Sequence, residues 1–265
     1  MSLKIPVKDR VALYPGRVTL TPVVGQNNTY DMIRADSPTE VGTPINKALL
    51  DQKAYALAED VTLYVATTGS DTDGDGSQSK PYATIQKAID ELPKWFQGHD
   101  VTILVASGVY AERLEVRGFH GGTLTLTEFG GEVTISGIIV INTRMLYFDL
   151  TNIVYSESTG NYPLFRVIND SCVYTMMGAP TLDCQNCRTG FQVDGCSKVY
   201  LAGLVVNNAH PYAVNVNLGG ELTVDYVGGT NNNYGLRCTT GGLIRYDVHA
   251  LESENGDRGA VSYGY

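Results

Sequence analysis

Three aspartates that share one loop are the first residues in the chain that could bind a metal. Asp71, Asp73 and Asp75 alternate along the sequence and a glycine follows them, as in the first half of a calcium-binding loop. That loop also needs a bidentate glutamate at its twelfth position, and the twelfth position counted from Asp71 is Tyr82. Aspartate and glycine are also common in any tight solvated loop. We therefore predict no metal site and no other cofactor, with a looser cation site as the alternative.

The five cysteines raise the same question for zinc. Cys184 and Cys187 form a single Cys-x-x-Cys pair, and Cys172 and Cys196 lie nearby in the sequence. A structural zinc site normally needs two such pairs, or one pair with two closely spaced histidines, and no histidine is close in sequence to this pair. An odd number of cysteines in a chain of this length does not indicate a disulfide framework. We expect reduced, structural cysteines.

Two carboxylates spaced 22 residues apart, Asp225 and Asp247, could perform acid–base chemistry. The chain repeats at about this interval, so the two residues would stack on neighbouring turns, about 5 Å apart at the backbone. This separation suits the carboxylate pair of a retaining glycosidase. The alternative is a pair of solvated surface residues whose repulsion is screened by water. The sequence favours the second, non-catalytic interpretation.

Two tyrosines on the same predicted surface could bind a sugar. Tyr174 and Tyr200 fall in one outward-facing column, where flat rings could stack on sugar faces while the hydroxyl groups stay solvated. The alternative is that the rings only pack against each other. Lys198 and Glu221, 23 residues apart, are predicted to form an ion pair across two turns, worth at most about 1 kcal/mol.

These positions depend on a repeat with a nearly constant period. At every aligned position except Thr175, apolar or aromatic residues recur at intervals of 26, 23 and 22, and polar residues flank most of them, as expected for inward positions of stacked parallel strands. Glycine and asparagine are concentrated between the aligned segments, where turns are expected. The aligned columns are Phe165, Phe191, Val214 and Leu236; Val167, Val193, Val216 and Cys238; Val173, Val199, Leu222 and Ile244; and Thr175, Leu201, Val224 and Tyr246.

The segment that precedes the repeat supports the same architecture. The stretch ATIQKAIDELP predicts a short amphipathic helix over residues 83–92, and DVTILVASGVYAERLEV after it predicts a strand. In this order, YVATTGSD, KPYATIQKAID and VTILVASGVYAERLEV resemble the first segment of pectate-lyase-like proteins. The resemblance implies an all-β fold, a right-handed parallel β-helix (solenoid) over residues 61–265, whose open end is capped by the helix.

Residues 1–60 differ in composition from the repeat. A strand is predicted around Val18–Val24, followed by a loop and a helix that begins with Thr43 as N-cap and Pro44 in the first turn. The stretch from Tyr14 to Asp51 resembles the N-terminal segment of bacteriophage and prophage tail-fibre and receptor-binding proteins. The resemblance implies an attachment and oligomerisation segment that binds a phage tail or baseplate and assembles as a homotrimer. The alternative is a leader that packs on the β-helix of a monomer.

The charge and hydropathy of the chain narrow the range of partners. The net charge of −9 argues against binding to nucleic acid or to anionic membranes. We find no apolar run of about 18 residues, which a membrane helix would need, and no signal peptide. We therefore expect synthesis in a bacterial cytoplasm and no membrane insertion.

The function that these patterns favour is that of a phage or prophage tail protein, located in the virion, whose β-helix binds a bacterial surface polysaccharide or another receptor. The first alternative is a polysaccharide depolymerase, a hydrolase or lyase, that uses Asp225 and Asp247. The second is a structural spacer in the tail without a ligand. The β-helix fold hosts all three functions and cannot choose among them.

Overall fold

The computed structural model describes residues 11–12, 18–22, 30–34, 38–40, 57–144, 146–149, 153–156, 162–175, 181–184, 189–256 and 261–263. The chain divides into two units, Leu3–Ala54 and Tyr55–Tyr265, the second of which includes Met1–Ser2.

The first unit contains two antiparallel strand pairs. Its strands are β1 (Val11–Ala12), β2 (Val18–Pro22), β3 (Tyr30–Arg34) and β4 (Pro38–Glu40). β1 pairs with β4, and β2 pairs with β3 over its whole length. The strand that the sequence predicts to begin at Val18 is therefore present as β2. The helix predicted to begin after Thr43 lies outside the described residues.

The second unit consists almost entirely of strands. They are β5 (Val61–Val65), β6 (Asp100–Arg117), β7 (Thr123–Ile141), β8 (Leu146–Asp149), β9 (Ile153–Ser156), β10 (Phe165–Ile168), β11 (Cys172–Thr175), β12 (Thr181–Asp183), β13 (Thr189–Val193), β14 (Lys198–Asn207), β15 (Tyr212–Val216), β16 (Glu221–Asn232), β17 (Tyr234–Cys238), β18 (Leu243–Ser253) and β19 (Val261–Tyr263). The described residues contain one helix, α1 (Ile85–Glu91).

All strand pairs described in the second unit are parallel, and each strand pairs with strands of the neighbouring turns. One column of such pairs, which we call the first face, runs from β5 through the start of β6 and β7 to β8, β11, β14, β16, β18 and β19. The third face runs through the ends of β6 and β7 to β10, β13, β15 and β17. The second face lies between them in sequence, with β9 and β12. This arrangement confirms the prediction of an all-β parallel solenoid.

The residue pairing between neighbouring strands confirms the predicted columns. Phe165 pairs with Phe191, Phe191 with Val214, and Val214 with Leu236 along the third face. All four side chains are fully buried, and the two phenylalanine rings are in tilted contact, with centroids 4.8 Å apart and an angle of 54° between their planes. Cys238 is also buried and pairs with Val216, so it is a small apolar core residue, as predicted. Burial of each such Val, Leu or Phe side chain contributes about 1.5–3 kcal/mol to folding.

The corner between the third and first faces contains a ladder of buried hydroxyl groups. The backbone N–H of Thr143 donates to Ser171 Oγ, and the N–H of Ser171 donates to Ser197 Oγ, each at 3.2 Å. In three successive turns, the residue before each of these hydroxyl side chains adopts a left-handed conformation, with φ between 48° and 60°. The hydroxyl groups satisfy backbone donors that face the core at this bend, where no strand partner is present.

Asparagines support the corner between the second and third faces. Asn208 and Asn231 both have φ of 57°, and Asn231 Nδ2 donates to Asn208 Oδ1 at 2.7 Å. Asn232 is fully buried, donates to the carbonyl of Val206 at 2.8 Å and accepts from the N–H of Ala209 at 3.0 Å. The asparagine-rich stretch that the sequence marks as a turn thus hydrogen-bonds one turn of the solenoid to the next.

Helix α1 matches the predicted amphipathic segment at 83–92. Ile85, Ala88 and Ile89 are buried along one side, and Leu92, which follows the helix, is buried as well. The side chain of Thr84 caps the helix by accepting from the N–H of Lys87 at 3.2 Å. The predicted role of this helix as a cap over the open end of the solenoid stays a prediction.

Candidate functional site

Three tyrosines form a continuous stack on the first face. Tyr147 pairs with Tyr174, and Tyr174 pairs with Tyr200. The ring centroids are 5.5 Å and 5.2 Å apart, and the Tyr174 and Tyr200 rings lie within 4° of parallel. We call these three residues the tyrosine ladder. The sequence predicted the last two members and their shared column, but it missed Tyr147.

The ladder leaves only part of its aromatic surface accessible. Tyr174 lies between the other two rings, so its faces are covered, and burial is the main cause of the raised pKa of its hydroxyl group. Tyr200 ends the ladder with 40% of its surface exposed, and the next residue in the column is Thr223. Because threonine is much smaller than tyrosine, the side chains of the column protrude less after Tyr200. We call the surface at Tyr200 and Thr223 the step.

A charged cluster borders the step, with Lys198 and Glu221 at the starts of β14 and β16 and Arg245 beyond Thr223. Glu221 Oε2 lies 3.8 Å from Lys198 Nζ and 4.0 Å from Arg245 Nη1. The predicted pair of Lys198 and Glu221 is therefore present and is extended by Arg245, which follows Thr223 in the tyrosine column. All three side chains are partly solvent-exposed, so the cluster contributes little to stability.

Asp225 and Asp247 flank the step on the opposite side. The residues before and after them pair across β16 and β18, namely Val224 with Tyr246 and Tyr226 with Val248, which places the two aspartates on neighbouring turns. Both are exposed, and neither makes a hydrogen bond or ion pair with another described residue. The predicted adjacency is thus observed, whereas the non-catalytic role that the sequence favours for the pair stays a prediction.

The aspartate loop has a structural partner in the helix that follows it. Asp71 Oδ1 accepts hydrogen bonds from the N–H groups of Ala83 and Thr84 at 2.8 and 3.1 Å, and Asp71 Oδ2 accepts from Thr84 Oγ1 at 2.8 Å. Glu112 continues this pattern, because its two carboxylate oxygens accept from the N–H groups of Ile85 and Gln86. Two carboxylates therefore satisfy the free donors at the start of α1.

Glu112 also lines a shallow cleft of about 260 Å³ between this loop and β6, together with Thr67, Thr84, Val109 and Tyr110. Both carboxylate oxygens of Glu112 accept hydrogen bonds from the start of α1. The structural role of Glu112 therefore explains why this one charged side chain lines the cleft.

The cysteines differ in their surroundings. Cys184 and Cys238 are buried, Cys172 is half-buried and Cys196 is exposed, and all four are free thiols. Cys187, the second member of the Cys-x-x-Cys pair, lies outside the described residues. Within the described ranges, no group of three or more His, Cys, Asp and Glu side chains could hold a metal ion.

Comparisons of the chain with protein-family models, with curated proteins and with solved structures give no significant match. Over the described part of the chain, no helix combines the length and the apolar character that a membrane crossing requires.

Proposed function

We propose that this protein is a bacteriophage or prophage tail protein that binds a bacterial surface polysaccharide, and that the step at Tyr200 and Thr223 is its contact surface. The observation that carries the proposal is the end of the tyrosine ladder. Tyr200 presents a flat, partly exposed ring above a small residue, with carboxylates and basic groups on either side. The resemblance of the N-terminal segment to phage tail proteins supports the biological context.

The chemistry of the step suits a sugar ring. A pyranose has an apolar face that packs on an aromatic ring, and hydroxyl groups around its edge that need hydrogen-bond partners. Asp225 and Asp247 are exposed acceptors on one side of the tyrosine column, Lys198 supplies donors on the other, and Arg245 supplies donors beyond Thr223 within the column. Such a combination of one aromatic ring with a few polar groups is typical of small-ligand sites.

The proposed homotrimer is tested separately from the sugar site. Light scattering on a sizing column should give three times the 28.7 kDa of one chain. A stable monomer would contradict the tail-protein part of the proposal and leave the sugar-binding part in place.

The direct test of the site is a glycan array of bacterial surface polysaccharides, probed with the wild-type protein and with two variants. Tyr200→Ala removes the ring, and Thr223→Tyr extends the ladder so that a fourth ring covers the exposed face of Tyr200. We expect both to lower the affinity for a bound glycan at least tenfold, about 1.4 kcal/mol. Tyr162→Ala, at an exposed tyrosine outside the ladder, is the control. Unchanged binding by both step variants would refute the assignment.

One observation favours a second function. The exposed carboxylates of Asp225 and Asp247 lie on neighbouring turns beside the step, where a bound sugar chain would meet both. A depolymerase would use the same surface for cleavage, with one carboxyl group as the acid. A spacer without a ligand would instead bind no glycan on the array.

A further inference from the structure

The only tryptophan in the chain, Trp95, lies on the surface. Its side chain is 52% exposed, although an indole ring is among the most apolar groups in proteins. The residue follows α1 and precedes Phe96, which is fully buried and packs on Phe119 with ring centroids 5.5 Å apart. The neighbouring phenylalanine, and not Trp95, therefore fills the core at this position.

The backbone around Trp95 is tightly held. The carbonyl of Trp95 accepts from the N–H of Leu57 at 3.0 Å, and two further bonds of 3.0 Å join Phe96 and Lys94 to His120. A Cβ atom on Gly121 would collide with the indole ring, so the ring lies directly against the glycine backbone. The ring is thus fixed in place and still exposed, which lowers the entropy that a ligand would lose on binding.

His120 lies beside the indole with its ring centroid 6.2 Å away and a 20° angle between the two planes. Its Nδ1 is 3.1 Å from the carbonyl of Gly118, so in the neutral ring Nδ1 carries the proton and Nε2 is an acceptor. The Trp95 Nε1–H group has no hydrogen-bond partner among the described residues. The exposed indole of Trp95 and the exposed imidazole of His120 therefore lie side by side at the surface.

We propose that Trp95 and His120 form a second sugar subsite, in which the indole packs on the apolar face of a pyranose. Trp95 Nε1–H donates to one sugar hydroxyl and His120 Nε2 accepts from another. The proposal rests on the polysaccharide-binding function proposed above and adds a separate contact to it.

The position of the pair links it to the tyrosine ladder. His120 precedes β7, and Thr125 of β7 pairs with Tyr147, the first member of the ladder. The chain bends at Gly121 and Gly122 between His120 and Thr125, so these two residues are at most about 18 Å apart. A polymeric glycan that lies along this side of the solenoid can therefore contact both places, and a single sugar can contact only one.

Trp95 also provides the readout, because it is the sole source of tryptophan emission. The probes are hexasaccharides of glucose and of N-acetylglucosamine, and any polysaccharide that binds on the array. The expected result is a change in emission with the bound glycan, and an affinity at least fivefold lower for Trp95→Ala and for His120→Ala by array titration. Tyr162→Ala is again the control, and Trp95→Phe, which keeps an aromatic face, should retain more affinity than Trp95→Ala.

The outcomes separate this inference from the proposed function. One outcome is a glycan that binds the wild type but not Tyr200→Ala, leaves the tryptophan emission of the wild type unchanged, and binds Trp95→Ala with unchanged affinity. This outcome overturns the second subsite and keeps the step as the binding site. A hexasaccharide that changes the emission while Tyr200→Ala binds normally supports the Trp95 subsite and counts against the step. If no probe binds, both are overturned. Melting curves of each variant show whether a loss reflects misfolding.

Discussion

The ring of Tyr174 lies 5.2 Å from the ring of Tyr200 and within 4° of parallel to it. Tyr147 stacks on the opposite face of Tyr174 at 5.5 Å, so the middle ring has two aromatic neighbours and the end ring has one. Stability and binding should therefore depend on different members of the ladder.

We expect Tyr174→Ala to lower the free energy of unfolding by about 1–3 kcal/mol, because it removes two ring pairs worth about 0.5–1.5 kcal/mol each. Tyr200→Ala removes one pair and should cost about half as much. Urea denaturation measures both, with Thr223→Ala as a control that removes no ring. An equal loss at the two tyrosines would show that the stacking is energetically unimportant.

Asp71 should be far more important for stability than its neighbour Asp73. Asp71→Ala removes a carboxylate that accepts three hydrogen bonds near the start of α1, which we expect to cost about 2–3 kcal/mol. The side chain of Asp73 makes no hydrogen bond with the described residues, so Asp73→Ala should change stability by less than about 0.5 kcal/mol.

Thermal unfolding of these two variants, with and without calcium, distinguishes the structural role from a metal site. A calcium-dependent rise in the melting temperature of the wild type, lost in both variants, would favour the cation site that the sequence left open.

Leu218 adopts a conformation that is unfavourable for its residue type. Its φ is 51° and 57% of its surface is exposed, so it bears the cost of the left-handed region without much burial. We expect Leu218→Asn to raise the free energy of unfolding by about 0.5–1 kcal/mol, because asparagine tolerates this region. Leu218→Ala lacks the short polar side chain that stabilises asparagine in this region and is the matched control. If denaturation midpoints show no advantage of asparagine over alanine, the strain is absent in solution.

Stability should fall at alkaline pH. Burial is the main cause of the raised pKa values of Tyr82 and Tyr110, whereas tyrosines of the unfolded chain ionise near 10.0. Above about pH 10 the unfolded state therefore releases protons that the folded state keeps, and stability is lost as the pH rises through the folded pKa values. Tyr82→Phe should reduce this loss and leave stability near neutral pH almost unchanged, as urea denaturation at several pH values can show. A parallel loss in Tyr82→Phe and the wild type would exclude this residue as a cause.

The carboxylate pair gives the sharpest distinction between binding and cleavage. We expect the wild-type protein to release no oligosaccharides from a polysaccharide that it binds, and Asp225→Asn and Asp247→Asn to melt within about one degree of it because both residues are exposed. Reducing-end assays and mass spectrometry measure release. Oligosaccharides that appear with the wild type and disappear with either variant would establish the depolymerase instead.

Most of the solenoid could be predicted because the inward positions repeat. Burial of every second residue imposes the same apolar type turn after turn, so Phe165, Phe191, Val214 and Leu236 revealed their pairing without any structure. Outward positions carry no such constraint. Tyr147 was missed because it lies 27 residues before Tyr174, in a turn that the alignment of the later repeats did not include.

The roles of single side chains were harder to predict than the fold. The sequence predicted Asp71 to be a loop residue, with a cation site as the alternative, and it missed the contact with α1. Two of the three partners of Asp71, the N–H groups of Ala83 and Thr84, are backbone atoms that have no signature in the sequence. The exposure of Trp95 was equally hidden, since its neighbour Phe96 is buried and both are aromatic. Which of two adjacent aromatic residues faces the core depends on the path of the loop after α1.

The parallel pairing of one turn with the next also determines how the protein would respond to a pulling force. The hydrogen bonds between turns point along the solenoid axis, so tension applied between its two ends pulls directly on these bonds and opens one turn at a time. β19 joins β18 through only three residue pairs and is the least firmly held of the described strands at the β19 end of the first face. β19 would therefore separate from β18 at low tension, and unfolding would advance in small steps, each releasing a short length of chain and lowering the tension.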